Sequence, residues 1–214
     1  MVLGIYGSGG AGKEVKDIAE MLNKWSEIVF IDDTVDCDFF KGIKRMPWSV
    51  FCKTYSSDDS EIVISLGEPE YKLSLSRKIK QHGYSLGNVI HPGAWVSPSA
   101  IIGHGVVLRM GAIVQADTVI GDNVTIMEYS GVGHDSIVGN NVQIAAGVLV
   151  GGHCTIGDNT YISMGVLIKE KIRIGSNSIV GIGSVVSRNI DENVVALGNP
   201  ARAMKMKDNS KVFI

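Results

Sequence analysis

In the stretch "GVGHDSIVGNN", His134 and Asp135 interrupt a run of glycine, aliphatic and small polar residues. An imidazole can take up a proton near neutral pH, and a carboxylate on its other nitrogen fixes the tautomer and favours the imidazolium. The pair therefore has the types needed for a general base and its orienting partner. A polar corner of a repetitive scaffold would be spelled the same way. Neighbours on a straight strand point to opposite faces, so the two side chains meet only if the chain bends between them. His82, His91, His104 and His153 are the other candidates for a base. His82 stands before Gly83 at the end of a helical pattern, where a cation suits the helix dipole. His91 precedes Pro92 in a transition segment and reads as structural.

A second chemical pattern lies near the start. "GSGGAG" matches GxGxxG through Gly7, Gly9 and Gly12, follows an apolar run and opens a helical one, and Asp32 and Asp33 lie about 20 residues on. Taken alone, this motif fits an NAD-dependent oxidoreductase. Such an enzyme needs further sheet for the nicotinamide half, and here a different pattern begins instead.

The elements that must position these residues fall into two parts. Over residues 1–88, "VLGIYG", "EIVFIDD" and "EIVISLG" read as strands and "AGKEVKDIAEMLNKW" and "EPEYKLSLSRKIKQHG" as helices, a small Rossmann-like α/β unit. Over residues 89–214 an aliphatic residue recurs at every sixth position, from Ile90, Val96 and Ile102 through to Val180 and Val186, without a miss. Four places after each comes a small or β-branched residue, such as Ala112, Thr118, Ser130 or Cys154, and glycine often follows the aliphatic directly, as at Gly103, Gly121 and Gly133. This hexad is the signature of an all-β parallel β-helix, three hexads to a coil, with glycine or asparagine supplying the corner dihedrals.

Positions 18 residues apart should then stack at about 4.8 Å. His104 and His134 are 30 residues apart and so occupy different edges. His104 stacks on Asp122 and Asn140, an ordinary polar corner, whereas His134 lies between Ala116 and Gly152, which leave room for a ligand. On another edge Met110, Glu128, Ala146, Met164 and Ile182 form a column that turns apolar from Ala146 onward although its corners face outward. A groove for a ligand's apolar arm, or packing between subunits, would cover it.

Composition narrows the classes. The 214 residues carry 45% hydrophobic and 20% charged residues and a net charge of −2, which provides no basic face for nucleic acid or membrane. The N-terminus lacks the pattern of a signal peptide and no apolar run approaches a spanning length, so the expectation is a cytoplasmic protein. Cys37, Cys52 and Cys154 show no CxxC spacing; neither a disulfide framework nor a metal site is expected, and they read as small apolar filler.

Together "GSGGAGKEV", "FIDD", "ISLGEPE", "VIHPGAWVSPSAIIG", "GHDSIVGNN" and "VALGNPARAMK" resemble, over nearly the whole chain, the sugar O- or N-acetyltransferases of the sialic-acid and bacillosamine type, a branch of the hexapeptide acyltransferases. The resemblance implies a left-handed β-helix, acetyl-CoA as cosubstrate, and a homotrimer with active sites between neighbouring subunits. It implies His134 as general base and Asp135 as its partner. The backbone N–H of Gly152, stacked beside His134, is then the candidate to hold the thioester oxyanion. Acetyl-CoA contacts are implied at Gln143, Met164 and Ile182, with Ala146, Gly165 and Gly183 beside them. A nucleotide-sugar acceptor is implied at Gly9, Gly10 and Ala11, at Asp32 and Asp33, and at Gly67. Two departures bear on the acceptor: Ala11 replaces a histidine or phenylalanine, and Glu128–Tyr129 replaces an asparagine–threonine pair. The expected activity is N-acetylation of a nucleotide-linked 4-amino-dideoxy sugar for surface glycan synthesis. A sialic acid O-acetyltransferase, an NAD-dependent oxidoreductase and a non-catalytic scaffold are the alternatives.

Overall fold

The computed structural model describes residues 1–206; the end of the C-terminal tail lies outside the described residues. The first part contains β1 (Val2–Tyr6), α1 (Gly10–Leu22), β2 (Glu27–Ile31), β3 (Asp38–Phe40), β4 (Ile43–Met46), α2 (Trp48–Thr54), β5 (Ser60–Ile64), α3 (Pro69–Gln81) and β6 (Ser85–Leu86). They form one sheet in the order β3-β4-β2-β1-β5-β6, parallel except for the β3–β4 hairpin. Helix α1 turns Val15, Ile18 and Ala19 inward, the spacing of one helical face. The three expected strands and two expected helices are present. The hairpin, α2 and β6 are additional, because strands of 2 to 4 residues and a helix of 7 leave too few residues for a period to be read.

From β7 (Val89–Ile90) to β23 (Val185–Val186) the chain winds as a parallel β-helix of two-residue strands in three sheets. Register is 18 residues throughout, as in Val107↔Thr125, Ile113↔Gly131 and Val119↔Ile137. The second residue of each strand points inward, and Leu108, Ile126, Ile144, Ile162 and Val180 are fully buried. Three places after it the backbone takes the left-handed conformation, held by Asn123, Asp135, Asn141, His153 and Asn159, among others. The side-chain amides of Asn123, Asn141, Asn159, Asn177 and Asn193, the first two buried, are linked each to the next in a ladder of 3.0–3.2 Å hydrogen bonds along one corner.

This corrects the role assigned to the glycines that directly follow the aliphatics. A Cβ on Gly133 would stand 2.6 Å from the Gly151 carbonyl carbon, so glycine there permits close approach of coils, and the left-handed turn comes two residues later. Cys154 is core filler as expected, but Cys37 is exposed. The antiparallel pair β24 (Val194–Gly198) and β25 (Ala201–Met206) closes the far end.

The two parts pack directly. Val89 and Val107 share a core cluster with Leu3, Ile5 and Val15. Lys72 of α3 is buried against the solenoid, donating to the Asn123 carbonyl at 3.0 Å and the Thr125 hydroxyl at 2.7 Å. Arg109 on the solenoid pairs with Glu128 at 3.0 Å and with Glu14 of α1. Among the described residues, no helix is long and apolar enough to cross a membrane.

Candidate active site

His134 and Asp135 occupy the second and third places after the inward Val132, where the chain turns from one face of the prism to the next. Asp135 has φ +56°, and this left-handed turn bends the neighbours together: His134 Nδ1 lies 2.7 Å from Asp135 Oδ2. Backbone bonds hold the corner on both sides, from Asp135 N to the Ala116 carbonyl at 3.0 Å and from His153 N to the His134 carbonyl at 2.8 Å. The hydrogen bond with His134, aided by the charge of the nearby imidazoles, holds the Asp135 carboxyl below its ordinary range. The carboxylate is thus kept as an acceptor, which directs an Nδ1–H towards it and frees Nε2 as the basic atom.

Gly152 lies against the other side of the ring: a Cβ there would stand 2.7 Å from His134 Nε2. Its amide N–H donates to no acceptor among the described residues. A free base and a free N–H donor therefore sit side by side on an open corner. His153 completes the group. It stacks 18 residues beyond Asp135, its ring is edge-on to His134 with centroids 5.1 Å apart, and its Nε2 is 3.8 Å from Asp135 Oδ2. Sequence reasoning gave His153 no role; the stacking rule, applied to Asp135 as it was to His134, would have placed it. His104 N donates to Asp122 Oδ1 and Asp122 N to Asn140 Oδ1, both at 2.9 Å, the polar corner expected of that edge.

The glycine-rich loop opens α1. Gly7 (φ +107°) makes the turn, and a Cβ on Gly12 would strike the Gly7 carbonyl oxygen, whereas Gly9 and Gly10 face open space. Gly9 caps the helix, so unbonded backbone N–H groups converge there as they do at anion sites. Gly9, Asp32 and Asp33 line a cavity of about 420 Å³ with Tyr6, Ser8 and Tyr71. Burial opposes ionisation of both aspartates, but hydrogen bonds from Ser8 and Thr34 to Asp32, and from Tyr6, the Trp48 amide and Lys78 to Asp33, outweigh it and hold both below the usual carboxylate range. Two fixed carboxylates beside a helix N-terminus suit a ligand with an anionic group and adjacent hydroxyl or amide donors.

Ala11 and Gly67 line a second cavity of about 300 Å³ between the sheet and the solenoid, together with Arg109, Gln143 and Met164. Gln143 is 6% exposed with its Oε1 unpartnered, and Arg109 is 4% exposed with its Nε unpartnered. Met164 and Ile182 are exposed as their corner position predicts, and at Gly165 and Gly183 the space a Cβ would fill is empty. The structure thus joins Gln143 and Met164 with Ala11 and Gly67. It leaves His134, Asp135 and Gly152 on a different edge of the same chain.

Residues 2–79 match the family model described as the PglD N-terminal domain, and residues 117–152 match that of the bacterial transferase hexapeptide (six repeats). The acetyltransferase domain of PglB from Neisseria gonorrhoeae FA1090 is 31% identical, with a TM-score of 0.90 over 95% of this chain and 99% of that one, and has also been solved in complex with acetyl coenzyme A. A histidine-to-asparagine mutant of perosamine N-acetyltransferase from Caulobacter crescentus, in complex with CoA and GDP-perosamine, is 26% identical, with a TM-score of 0.90 over 96% of this chain and 97% of that one. WeeI from Acinetobacter baumannii AYE is 27% identical, with a TM-score of 0.89 over 95% of this chain and 100% of that one.

Proposed function

The chain belongs to the hexapeptide-repeat acetyltransferases with a PglD-type N-terminal domain, and we propose that it is an acetyl-CoA-dependent N-acetyltransferase of a nucleotide-linked amino sugar in glycan biosynthesis. The observation that carries this reading is the corner at His134, where a carboxylate-oriented imidazole with a free Nε2 adjoins the unbonded N–H of Gly152. Likeness to proteins solved with acetyl coenzyme A, and with CoA and GDP-perosamine, supports both substrates.

In the reaction, the acceptor amine attacks the thioester carbonyl while His134 Nε2 takes its proton and Asp135 stabilises the imidazolium. The oxyanion of the tetrahedral intermediate receives the Gly152 N–H. Collapse breaks the C–S bond, and the departing thiolate takes the proton back from His134. The acceptor is a 4-amino-dideoxy sugar whose nucleotide lies along Gly9, Gly10, Asp32 and Asp33, with Ala11 and Gly67 towards the sugar. Acetyl-CoA runs along Gln143, Ala146, Met164, Gly165, Ile182 and Gly183.

The assembly is a homotrimer. Trp95 and Leu149 stand 52% and 54% exposed on one face of the prism and Ile137 51% on the next, apolar surface on both sides of the His134 edge. Because one chain holds its acceptor cavities on a different edge from its base, a neighbouring copy completes each site, in the cytoplasm where acetyl-CoA is available. Free-thiol release from acetyl-CoA, measured across UDP-, dTDP- and GDP-linked 4-amino sugars, tests the activity; release with none of them rejects it. His134→Ala should lower turnover about 10²- to 10⁴-fold with acetyl-CoA affinity nearly unchanged.

A further inference from the structure

The corner at His134 has a second capacity that acetyl transfer does not use. Among the described residues, His134, Asp135 and His153 form the one group whose donor atoms, two imidazole nitrogens and a carboxylate oxygen, all lie within 4.8 Å of one another. Two nitrogens and one oxygen are a donor set for zinc and its neighbours, not for calcium or magnesium. Zinc bonds of about 2.0–2.2 Å in a tetrahedral arrangement place ligand atoms roughly 3.3 Å apart. Two of the three separations, 2.7 Å from His134 Nδ1 to Asp135 Oδ2 and 3.8 Å from that oxygen to His153 Nε2, bracket this value, and the donor atoms of the two imidazoles lie within 4.8 Å of each other.

The backbone under these side chains is already fixed. Asp135 and His153 share the left-handed position in successive coils, and the bond from His153 N to the His134 carbonyl ties the coils together. All three side chains are about half exposed, so they can close on an ion by small rotations and leave a fourth position to water.

We propose that this corner binds a divalent cation of the zinc type through His134 Nδ1, Asp135 and His153 Nε2, and that the bound cation switches off the base. A neutral imidazole that gives its Nδ1 lone pair to a metal carries its single proton on Nε2. That nitrogen then has no lone pair to accept a proton from an acceptor amine. Binding follows from the geometry of the corner alone, whereas inhibition rests on the acetyltransferase reading.

The test uses purified, metal-stripped protein titrated with Co²⁺. The expected result is saturable binding of one ion per chain with a visible ligand-field band, displaced by Zn²⁺. The variant is His153→Asn, since asparagine suits the left-handed turn and stands at the equivalent place in neighbouring corners, as at Asn141 and Asn159. It should fold with unchanged circular dichroism and weaken Co²⁺ binding by tenfold or more. Zn²⁺ should inhibit thiol release by the parent protein, reversibly with a chelator, and His153→Asn should be less sensitive relative to its own metal-free rate. Absence of saturable Co²⁺ binding, or equal binding by His153→Asn, overturns the site. Full thiol release at saturating Zn²⁺ overturns the inhibition. Metal binding in a protein that releases no thiol with any acceptor leaves the site standing and rejects the acetyltransferase reading instead.

Discussion

The backbone conformation at Asp135 determines what His134 can do. Asparagine adopts the same left-handed turn at little cost, so Asp135→Asn should preserve the corner while removing the charge that stabilises the imidazolium. Turnover should fall by about 10²-fold or more at unchanged melting temperature, as measured by thiol release and differential scanning fluorimetry. Gly152 constrains the other side of the ring. Its φ lies outside the left-handed range, so alanine is allowed by the backbone, but the new Cβ would press on Nε2. Gly152→Ala should therefore displace the exposed imidazole rather than unfold the coil. Turnover should drop by about 10²-fold, the scale of a 1 Å misplacement of a catalytic group.

Elements of both parts meet at Lys72. Burial, reinforced by the nearby Arg109 charge, lowers its ammonium from the ordinary 10.5 to about 7. Between these values the unfolded chain holds a proton that the folded one has released, so this residue makes stability rise with pH from about 7 to about 10.5. The penalty of charging it in place is fully present below about 7. Chemical denaturation at pH 7 and pH 9.5 should show the rise in the parent protein and a flatter profile in Lys72→Met. Within the solenoid, the amide of Asn159 accepts from Asn141 and donates to Asn177 while its backbone holds a left-handed turn. Asn159→Ala removes both links and the turn preference, and a loss of about 1–3 kcal/mol is expected in the same measurement.

For the whole molecule, the proposed homotrimer makes assembly part of the proposed activity, because His134 stands on a different edge from the two cavities. Leu149→Asp places a charge on the exposed apolar face next to the His134 edge. Light scattering should show a trimer for the parent protein and its dissociation in the variant, with thiol release lost although Leu149 is placed in no substrate contact; a parent protein that is not a trimer, or a variant trimer that persists with full activity, rejects the shared site. Much of this architecture was legible because the hexad repeats one inward aliphatic per strand from Ile90 to Val186, and backbone pairing between coils then allows only one register. The β3–β4 hairpin and α2 were not legible, since each is too short to display a period. The glycine roles were misassigned because a turn and a close coil contact favour the same residue two places apart.

The sequence by itself determined which residues stack. An 18-residue period places Gly152 on His134 and His153 on Asp135 whatever the details of the corner, because each coil must lie at hydrogen-bonding distance from the next. Only the tertiary structure decided that Asp135 turns back on to His134, since that depends on one dihedral angle rather than on spacing. Only it decided, too, that Ala11 and Gly67 share a cavity with Gln143 and Met164 while His134 stands on another edge. That arrangement follows from how α1 and α3 dock on one face of the prism through Lys72, Arg109 and Val107, contacts between segments that no local pattern relates.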